Sequence, residues 1–491
     1  MDDNFIDSFP HKCDIAIATE NINKIDEAID NLNNIEKFID SDDKLTHLYY
    51  CYANLFSAKA KFLNEDISLW RKSKFPTNLV KSLNYMRKAY SYSIKCESFL
   101  LYEIQTNLGN SLRNYNRNIE ALYYYTFNYD YNLGMDSQYV APFNKAEILM
   151  FIKNYSDDES CNLLYSFEAF KIIQQLTINK DKISHSGIAD SIENIPWVKE
   201  LVNWGENNQN ECDKYKNDLN IINNMESKEF AYRSWCADHN LFLNPLNDIT
   251  KEPLSFIDSI CFPSYIVKIG EGPYLSSAFS DIKNRFCKSR YLLYCALKDS
   301  FPDWVEKDLN LSALYEREDF STNSEFIKFS YKLCFSILDS LSTLISYYFG
   351  LEKNKSYFTP KWFRENCQNI NNPFLDTLYW LACDLTDIDP DSTIWNAPNP
   401  HAGILRKMRN ALEHKWVRLS EERNNTWLGE HDYAIVCTTE ELTVATFEVF
   451  RYVRSAIIYF IWAVKYNELD KYKKISTKMM PSIETPNYNP I

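Results

Sequence analysis

The sequence contains few of the residues that make turns. Only 9 Gly and 17 Pro occur among 491 residues, which disfavours a many-stranded sheet and favours long helices. Apolar residues make up 45% of the chain and aromatic residues 15%, which is enough for sizeable hydrophobic cores. We therefore predict an all-α protein of two or three domains.

A secretion signal and a membrane-spanning run are also lacking. The start, Met1–Asn4, is acidic and has no apolar core. The most apolar run, Ser455–Val464, is only about half as long as a membrane span. The 13 Cys form no C-x-x-C pair, and an odd number of this kind is typical of buried thiols in a reducing compartment. These features predict a cytoplasmic protein without a membrane partner.

Metal-ligand patterns are missing too. Cys236 and His239 have the local spacing of a metal pair, but no second pair of ligands accompanies them, so a structural role is the better interpretation. No other His, Cys, Asp or Glu cluster has ligand spacing. We predict no metal and no other cofactor.

Excess positive charge is absent. The formal net charge is −14, so the protein as a whole does not attract nucleic acid. Residues 325–491 carry 19 Lys and Arg against 20 Asp and Glu, so nearly all of the net charge falls on residues 1–324. The near-neutral part concentrates five basic residues on one predicted helix, which is compatible with local RNA binding: Arg406, Lys407, Arg409, Lys415 and Arg418.

That helix is the most informative stretch of the chain. Asn399 can cap it, and Pro400 suits its first position. Apolar residues recur along one stripe to about Leu419: Ile404, Leu405, Met408, Leu412, Trp416 and Leu419. Helical periodicity places three polar side chains opposite this stripe and a fourth on its flank, namely Arg406, Asn410 and His414, and then Arg409.

The order Arg409-Asn410-x-x-x-His414 resembles the signature of the HEPN superfamily, in which an Arg and a His four to six residues apart form a ribonuclease site. The resemblance implies a four-helix bundle, a composite site between two subunits and cleavage of RNA without a metal. The other interpretation is a solvated helix face with a surface histidine.

The three residues suit RNA cleavage. A histidine such as His414 can exchange protons near neutral pH. Arg409 can hold phosphate oxygens and stabilise developing charge, and Asn410 can orient the imidazole or bond the substrate. We expect a 2′,3′-cyclic phosphate and a 5′-hydroxyl as products, with RNA also bound by Arg406, Lys407, Lys415 and Arg418.

A bundle is predicted around the motif from four amphipathic stretches: Phe326–Leu351, Phe374–Leu385, Pro400–Leu419 and Glu440–Lys471, the last capped by Thr438 or Thr439. Asp339 lies in an apolar part of the first stretch and needs a partner, for which Arg409 or His414 would serve. An edge position facing water is the alternative for Asp339. One bundle presents one such set, so a symmetric homodimer would bring two sets into one cleft.

Other cations allow two interpretations, a solvated face or a contact with RNA phosphates, and the solvated face is the simpler. They are Lys332, Arg451, Arg454 and the basic residues of the predicted helix Ala278–Leu297, namely Lys283, Arg285, Lys288 and Arg290.

The N-terminal part alternates helical patterns with short polar breaks. Its segment Leu108-Gly109-x-x-Leu112, followed by Ala121 and Tyr125, resembles a degenerate tetratricopeptide repeat without the Trp and the closing Pro. Small residues at 109 and 121 would let two helices approach closely. Helix-pair repeats stack into a solenoid that binds proteins, whereas the alternative is an ordinary helical domain.

We therefore predict four parts: a repeat-like helical domain (1–177), a helical middle or linker region (178–324), a HEPN domain (325–475) and a flexible tail (476–491). Ile178–Ile195 and the Asn-rich stretch Asn207–Glu211 are predicted as connecting structure. The predicted function, by resemblance, is a toxin or anti-phage endoribonuclease whose repeat-like domain binds a protein trigger or antitoxin. The rival is a non-catalytic helical scaffold.

Overall fold

The computed structural model of the protein describes residues 3–39, 41–126, 137–179, 182, 192, 194–216, 225–251, 253–265, 273–299, 301–302, 304, 307, 309, 319–351, 356–386, 398–420 and 434–475. These residues form sixteen α-helices and two short β-strands, so the predicted all-α class is confirmed. The chain divides into two compact units. The first contains Met1–Asp218, Cys367–Asn371 and Asp387–Pro400, and the second contains Leu219–Asn366, Asn372–Thr386 and His401–Ile491.

Nine helices are described in the first unit: α1 (Asp3–Ala18), α2 (Ile22–Glu36), α3 (Asp42–Phe62), α4 (Thr77–Lys95), α5 (Leu101–Asn114), α6 (Asn118–Tyr125), α7 (Ser137–Lys153), α8 (Glu159–Ile178) and α9 (Pro196–Lys216). A 3₁₀-helix, Ile67–Lys72, precedes α4. Helix α3 packs against α4, α5 against α6, and α7 against α8. The helical patterns predicted for the N-terminal part are thus present as packed pairs, while the resemblance to tetratricopeptide repeats stays a prediction.

Gly109 of α5 allows the aromatic ring of Tyr125 in α6 to lie against its backbone. A Cβ atom at position 109 would be 2.5 Å from the Tyr125 ring. The ring is fully buried, and its hydroxyl donates to Asn110 Oδ1 at 2.5 Å. The structure therefore gives a physical reason for a glycine here.

The Asn-rich stretch is helical, so its prediction as connecting structure is wrong. It lies within α9, which packs against α8 and buries Leu201. The side-chain amides of Asn207 and Asn208 donate to backbone carbonyls of the preceding turn, each at 2.7 Å. Because these amides find partners inside the helix, they do not break it. Most of Ile178–Ile195 lies outside the described residues.

The described helices of the second unit are α10 (Ser227–Asp238), α11 (Tyr274–Lys298), α12 (Thr322–Phe349), α13 (Pro360–Cys367, whose last residue belongs to the first unit), α14 (Pro373–Asp384), α15 (Ala402–His414) and α16 (Thr439–Ile475). Two 3₁₀-helices, Pro245–Asp248 and Pro253–Phe256, follow α10. Helix α12 packs against α11, α15 and α16, and α14 packs against α16. The four predicted bundle helices correspond to α12, α14, α15 and α16, and α11 joins them.

Side-chain hydrogen bonds cap the starts of the long helices α12 and α16. Thr438 Oγ1 accepts from the Glu441 amide and Glu441 Oε2 accepts from the Thr438 amide, both at 3.0 Å, which is a capping box at the start of α16. Asp319 connects the starts of α12 and α16, since its Oδ2 accepts from Ser324 and, at 2.9 Å, from Thr439. Burial would raise the pKa of Asp319, but hydrogen bonds from Ser321, Ser324 and Thr439 outweigh it and lower the pKa.

The motif helix is shorter than predicted. Helix α15 begins at Ala402 rather than Pro400 and ends at His414, and strand β1 (Trp416–Leu419) follows it. β1 pairs in parallel with β2 (Ala434–Cys437), from Trp416 opposite Ala434 to Leu419 opposite Cys437. The prediction of a helix to Leu419 is wrong because β-branched residues of both strands, such as Val417, favour an extended backbone once they pair.

Two buried arginines fix the segment 241–258. Arg454 of α16 donates to both carboxylate oxygens of Asp248, at 3.0 and 2.6 Å, and Arg290 of α11 makes the same double contact with Asp258, at 3.0 and 2.9 Å. Both arginine side chains are 3% exposed and also donate to backbone carbonyls of the segment. Neither interpretation from the sequence holds for them, because they contact neither solvent nor a ligand surface.

The predicted domain boundaries stay predictions, although the second unit begins at Leu219, well before the predicted boundary at 325. The tail 476–491 and the acidic loop Asp387–Asp391 lie outside the described residues. In the described part of the chain, every helix is too short or too polar to cross a membrane.

Candidate active site

An open pocket of about 470 Å³ lies between α15 and the middle of α12. Arg409, Asn410 and His414 line it from α15, and Asp339 lines it from α12. The structure thus brings the three predicted catalytic residues together with the predicted supporting acid.

The packing of α15 determines which of its side chains reach the pocket. Leu405, Met408 and Ala411 are buried, and the Tyr331 hydroxyl of α12 donates to the Leu405 carbonyl at 2.7 Å. With this face covered, Asn410 and His414 lie on the exposed side, one turn apart. The predicted apolar stripe is therefore partly wrong, since Ile404 is 56% exposed and Trp416 is 71% exposed.

Arg409 is held from two sides. Its Nη2 lies 2.9 Å from Asp339 Oδ2, and its guanidinium carbon lies 4.9 Å from the ring centre of Phe335. A charge-assisted hydrogen bond and a cation–π contact together restrict the orientation of the guanidinium group. The side chain is still 26% exposed, so it can meet a ligand in the pocket.

Asp339 contacts helix α15 and the backbone just before α13. One oxygen pairs with Arg409, and Oδ1 accepts from the Phe358 amide at 3.1 Å. Burial raises the pKa of Asp339 above its ordinary value, while Arg409 and the Phe358 amide act against this and the charge of Glu413 adds to it. The carboxyl group therefore pairs with Arg409, although burial makes its ionised form less favourable.

Sequence reasoning missed six residues that line the pocket: Phe335, Ser336, Ser340, Thr343, Ser356 and Glu413. A signal for three of them was present, because Ser336, Ser340 and Thr343 recur at helical spacing beside Asp339 in an otherwise apolar helix. Glu413 adds a second carboxylate, so the pocket of one chain combines one guanidinium with two acids and is not electropositive.

The four residues predicted to bind RNA are not among those that line the pocket: Arg406, Lys407, Lys415 and Arg418. The helix ends before two of them, so Lys415 has an extended backbone and Arg418 lies in β1. The expectation of one basic helix is corrected accordingly, and their role in RNA binding stays a prediction.

An imidazole and a fixed guanidinium in one open pocket can exchange a proton with a phosphodiester substrate and bind its phosphate. Among the described residues, no cluster of His, Cys, Asp and Glu is arranged to hold a metal ion. Cys236 is buried instead, and the ring of His239 stacks on Phe447 with centres 4.6 Å apart.

The helical packing and the Arg–His pocket lie in a part of the chain that matches a known family. Residues 266–467 match the LA2681-like HEPN family model, and this range contains α11 to α15, most of α16 and all eight predicted site residues. This part of the chain is therefore an LA2681-like HEPN domain. No curated protein and no solved structure matches it.

Proposed function

We propose that this protein is a metal-independent endoribonuclease whose site is centred on Arg409, Asn410 and His414. One observation carries the proposal: these side chains and Asp339 line a single open pocket in a HEPN domain. The ion pair with Asp339 and the cation–π contact with Phe335 hold Arg409 at this pocket, which supports a functional site.

In the proposed reaction, the 2′-oxygen of a ribose attacks the adjacent phosphorus and the bond from phosphorus to the 5′-oxygen breaks. A base takes the proton of the 2′-hydroxyl, and an acid gives a proton to the leaving 5′-oxygen. The products are a 2′,3′-cyclic phosphate and a 5′-hydroxyl. Arg409 stabilises charge on the phosphoryl oxygens, and Asn410 orients the imidazole or bonds the ribose.

A second subunit would complete this site. One His414 cannot accept the first proton and supply the second at the same moment, and one pocket contains only a single guanidinium beside two carboxylates. A symmetric homodimer would bring in a second imidazole and a second Arg409 through an isologous contact. We therefore propose that the dimer, rather than the single chain, is active.

For the biological role we propose a toxin or anti-phage effector. The HEPN domain supports this role, and the helical first unit, with its paired helices, would bind the trigger or antitoxin. RNA is the proposed substrate.

The test is cleavage of total cellular RNA by purified protein in buffer that contains EDTA. We expect the wild type to cut RNA, and His414→Ala and Arg409→Ala to lose roughly 100-fold or more of that activity. His401→Ala is the matched control, because it removes another exposed imidazole from the other end of α15 that does not line the pocket. Inducible expression of the same variants, with growth followed, tests the toxin role.

Two results would reject the proposal. One is a wild-type protein that cuts no cellular RNA, and the other is full cleavage and toxicity in His414→Ala. Either result would favour the non-catalytic scaffold.

A further inference from the structure

A second hollow, of about 380 Å³, opens beside the catalytic pocket. It is lined by Leu292 of α11, by Phe329, Lys332, Leu333 and Ser336 of α12, and by Glu413 of α15. Ser336 and Glu413 also line the catalytic pocket, so the two spaces are neighbours that share a wall.

The lining of this hollow differs from that of its neighbour. Leu292 and Leu333 give it an apolar surface, and Phe329 is 49% exposed, so part of its side chain is accessible to a ligand. Nucleobases stack on aromatic side chains presented in this way, and every base has a face that can do so. The hollow therefore suits a flat, apolar group.

Positive charge lies at the edge of the hollow. Lys332 and the carboxylate of Glu413 are both part of its lining. Arg285 of α11, which pairs with Asp281 at 2.9 Å, has its Nη1 3.5 Å from Ser336 Oγ on the shared wall. Lys332 complements an anion attached to the flat group. A nucleotide combines both features, and the adjacent pocket holds the Arg409 guanidinium for the next phosphate.

We propose that the hollow is a base-binding subsite, in which a nucleobase next to the cleaved phosphate stacks on Phe329 while Lys332 contacts its backbone. The inference rests on the proposed ribonuclease function and narrows its substrate. Stacking on one ring requires a base that is not paired and does not depend on its identity. This subsite therefore takes one unpaired base and has little preference for its identity.

The binding test uses a short single-stranded RNA that carries 2-aminopurine and 2′-O-methyl groups, so that it cannot be cut by 2′-oxygen attack. We expect the fluorescence of 2-aminopurine to be quenched on binding to the wild type and to Phe329→Trp. Phe329→Ala and Phe329→Leu should bind roughly 5- to 150-fold more weakly and lose the quenching. Tyr347→Ala is the matched control, because Tyr347 is a 56% exposed aromatic on the same helix, roughly 27 Å away along its axis.

Cleavage gives a second reading. With single-stranded RNA, Phe329→Ala should raise KM and leave kcat nearly unchanged, and wild-type cleavage of a perfect duplex should be slower than that of either single strand. Lys332→Ala should reduce the dependence of binding on salt.

Unchanged binding and quenching in Phe329→Ala would overturn the inference. A Phe329→Ala protein that loses its dimer in sedimentation but retains affinity for the probe would also overturn it, and would assign the hollow to a contact between copies. A wild type that cuts no RNA rejects the proposed function instead, and the quenching measurement still decides the subsite.

Discussion

Replacing Asp339 by Asn separates the positioning of Arg409 from the chemistry of the pocket. The carboxylate lies 2.9 Å from Arg409 Nη2 and accepts from the Phe358 amide at 3.1 Å. Asparagine has the same shape and can retain the Phe358 contact through its carbonyl oxygen. Its NH₂ group would then face the guanidinium, where two donors cannot form a hydrogen bond, so Arg409 should leave its fixed orientation.

The expected effects differ in size between stability and activity. Asp339 and Arg409 are 30% and 26% exposed, and an ion pair of this exposure contributes no more than about 1 kcal/mol to stability. Releasing the guanidinium, however, displaces the group that stabilises the reacting phosphate, and a misplacement of about 1 Å can cost on the order of 100-fold in rate. We expect a kcat reduced by about 10- to 100-fold in a protein that is almost as stable.

The pH dependence of stability has a defined sign. Because burial raises the pKa of Asp339, the folded protein binds more protons than the unfolded chain between the two pKa values. The stabilisation from this group is complete below the unfolded pKa, near 3.9, and is lost as pH rises through the folded pKa. The Asp339→Asn variant has no carboxyl group at this position and does not lose this stabilisation. Its free energy of unfolding, minus that of the wild type, should therefore increase with pH above about 4.

The assays are RNA cleavage under saturating substrate and urea unfolding at several pH values. Glu229→Gln is the matched control, since it removes an exposed acid 2.8 Å from Arg233 on α10, outside the pocket. Full kcat in Asp339→Asn would refute the positioning role. A relative stability that decreases with rising pH would refute the burial argument.

Two predictions concern the fold. Arg454→Ala leaves Asp248 buried without its partner and should reduce the free energy of unfolding by about 3–5 kcal/mol in urea; the exposed neighbour Arg451→Ala should change it by only about 0.5 kcal/mol, and equal effects would contradict the assignment. Gly109→Ala places a Cβ 2.5 Å from the ring of Tyr125 and should lower stability by about 1–3 kcal/mol. The cost should shrink in the double variant with Tyr125→Leu, and independence of the two changes would argue against the close approach.

Local periodicity and caps were enough to predict the long helices. Helices α12, α14 and α16 begin and end within a few residues of the predicted limits, and Thr438 caps α16 as expected. The end of α15 could not be read in this way, because Trp416–Leu419 becomes a strand only through pairing with residues 434–437. The packing of α11 against α12 could not be predicted either, because the amphipathic pattern of α11 does not indicate which helix it contacts.

The candidate site shows the same division. A motif identified Arg409 and His414. Asp339 was identified because an acid in an apolar stretch needs a partner. Phe335 gave no such signal, since a 4% exposed aromatic of an amphipathic helix looks like any core residue until a guanidinium is found over its ring. For Arg454 the sequence predicted an exposed position, and the side chain is buried. Its partner Asp248 could not be predicted, because it lies more than two hundred residues earlier in the chain.

The parallel pairing of β1 with β2 has a consequence for how this domain can vary. His414 is followed within two residues by β1, and β2 is followed within two residues by α16, so four paired positions join the end of the motif helix to the start of the longest helix. Substitutions at the paired positions should therefore act on the motif helix and on the longest helix together, because both helices adjoin the pairing directly. We expect the distance between His414 and α16 to stay constant as long as the four pairs form, and to change in variants that break them.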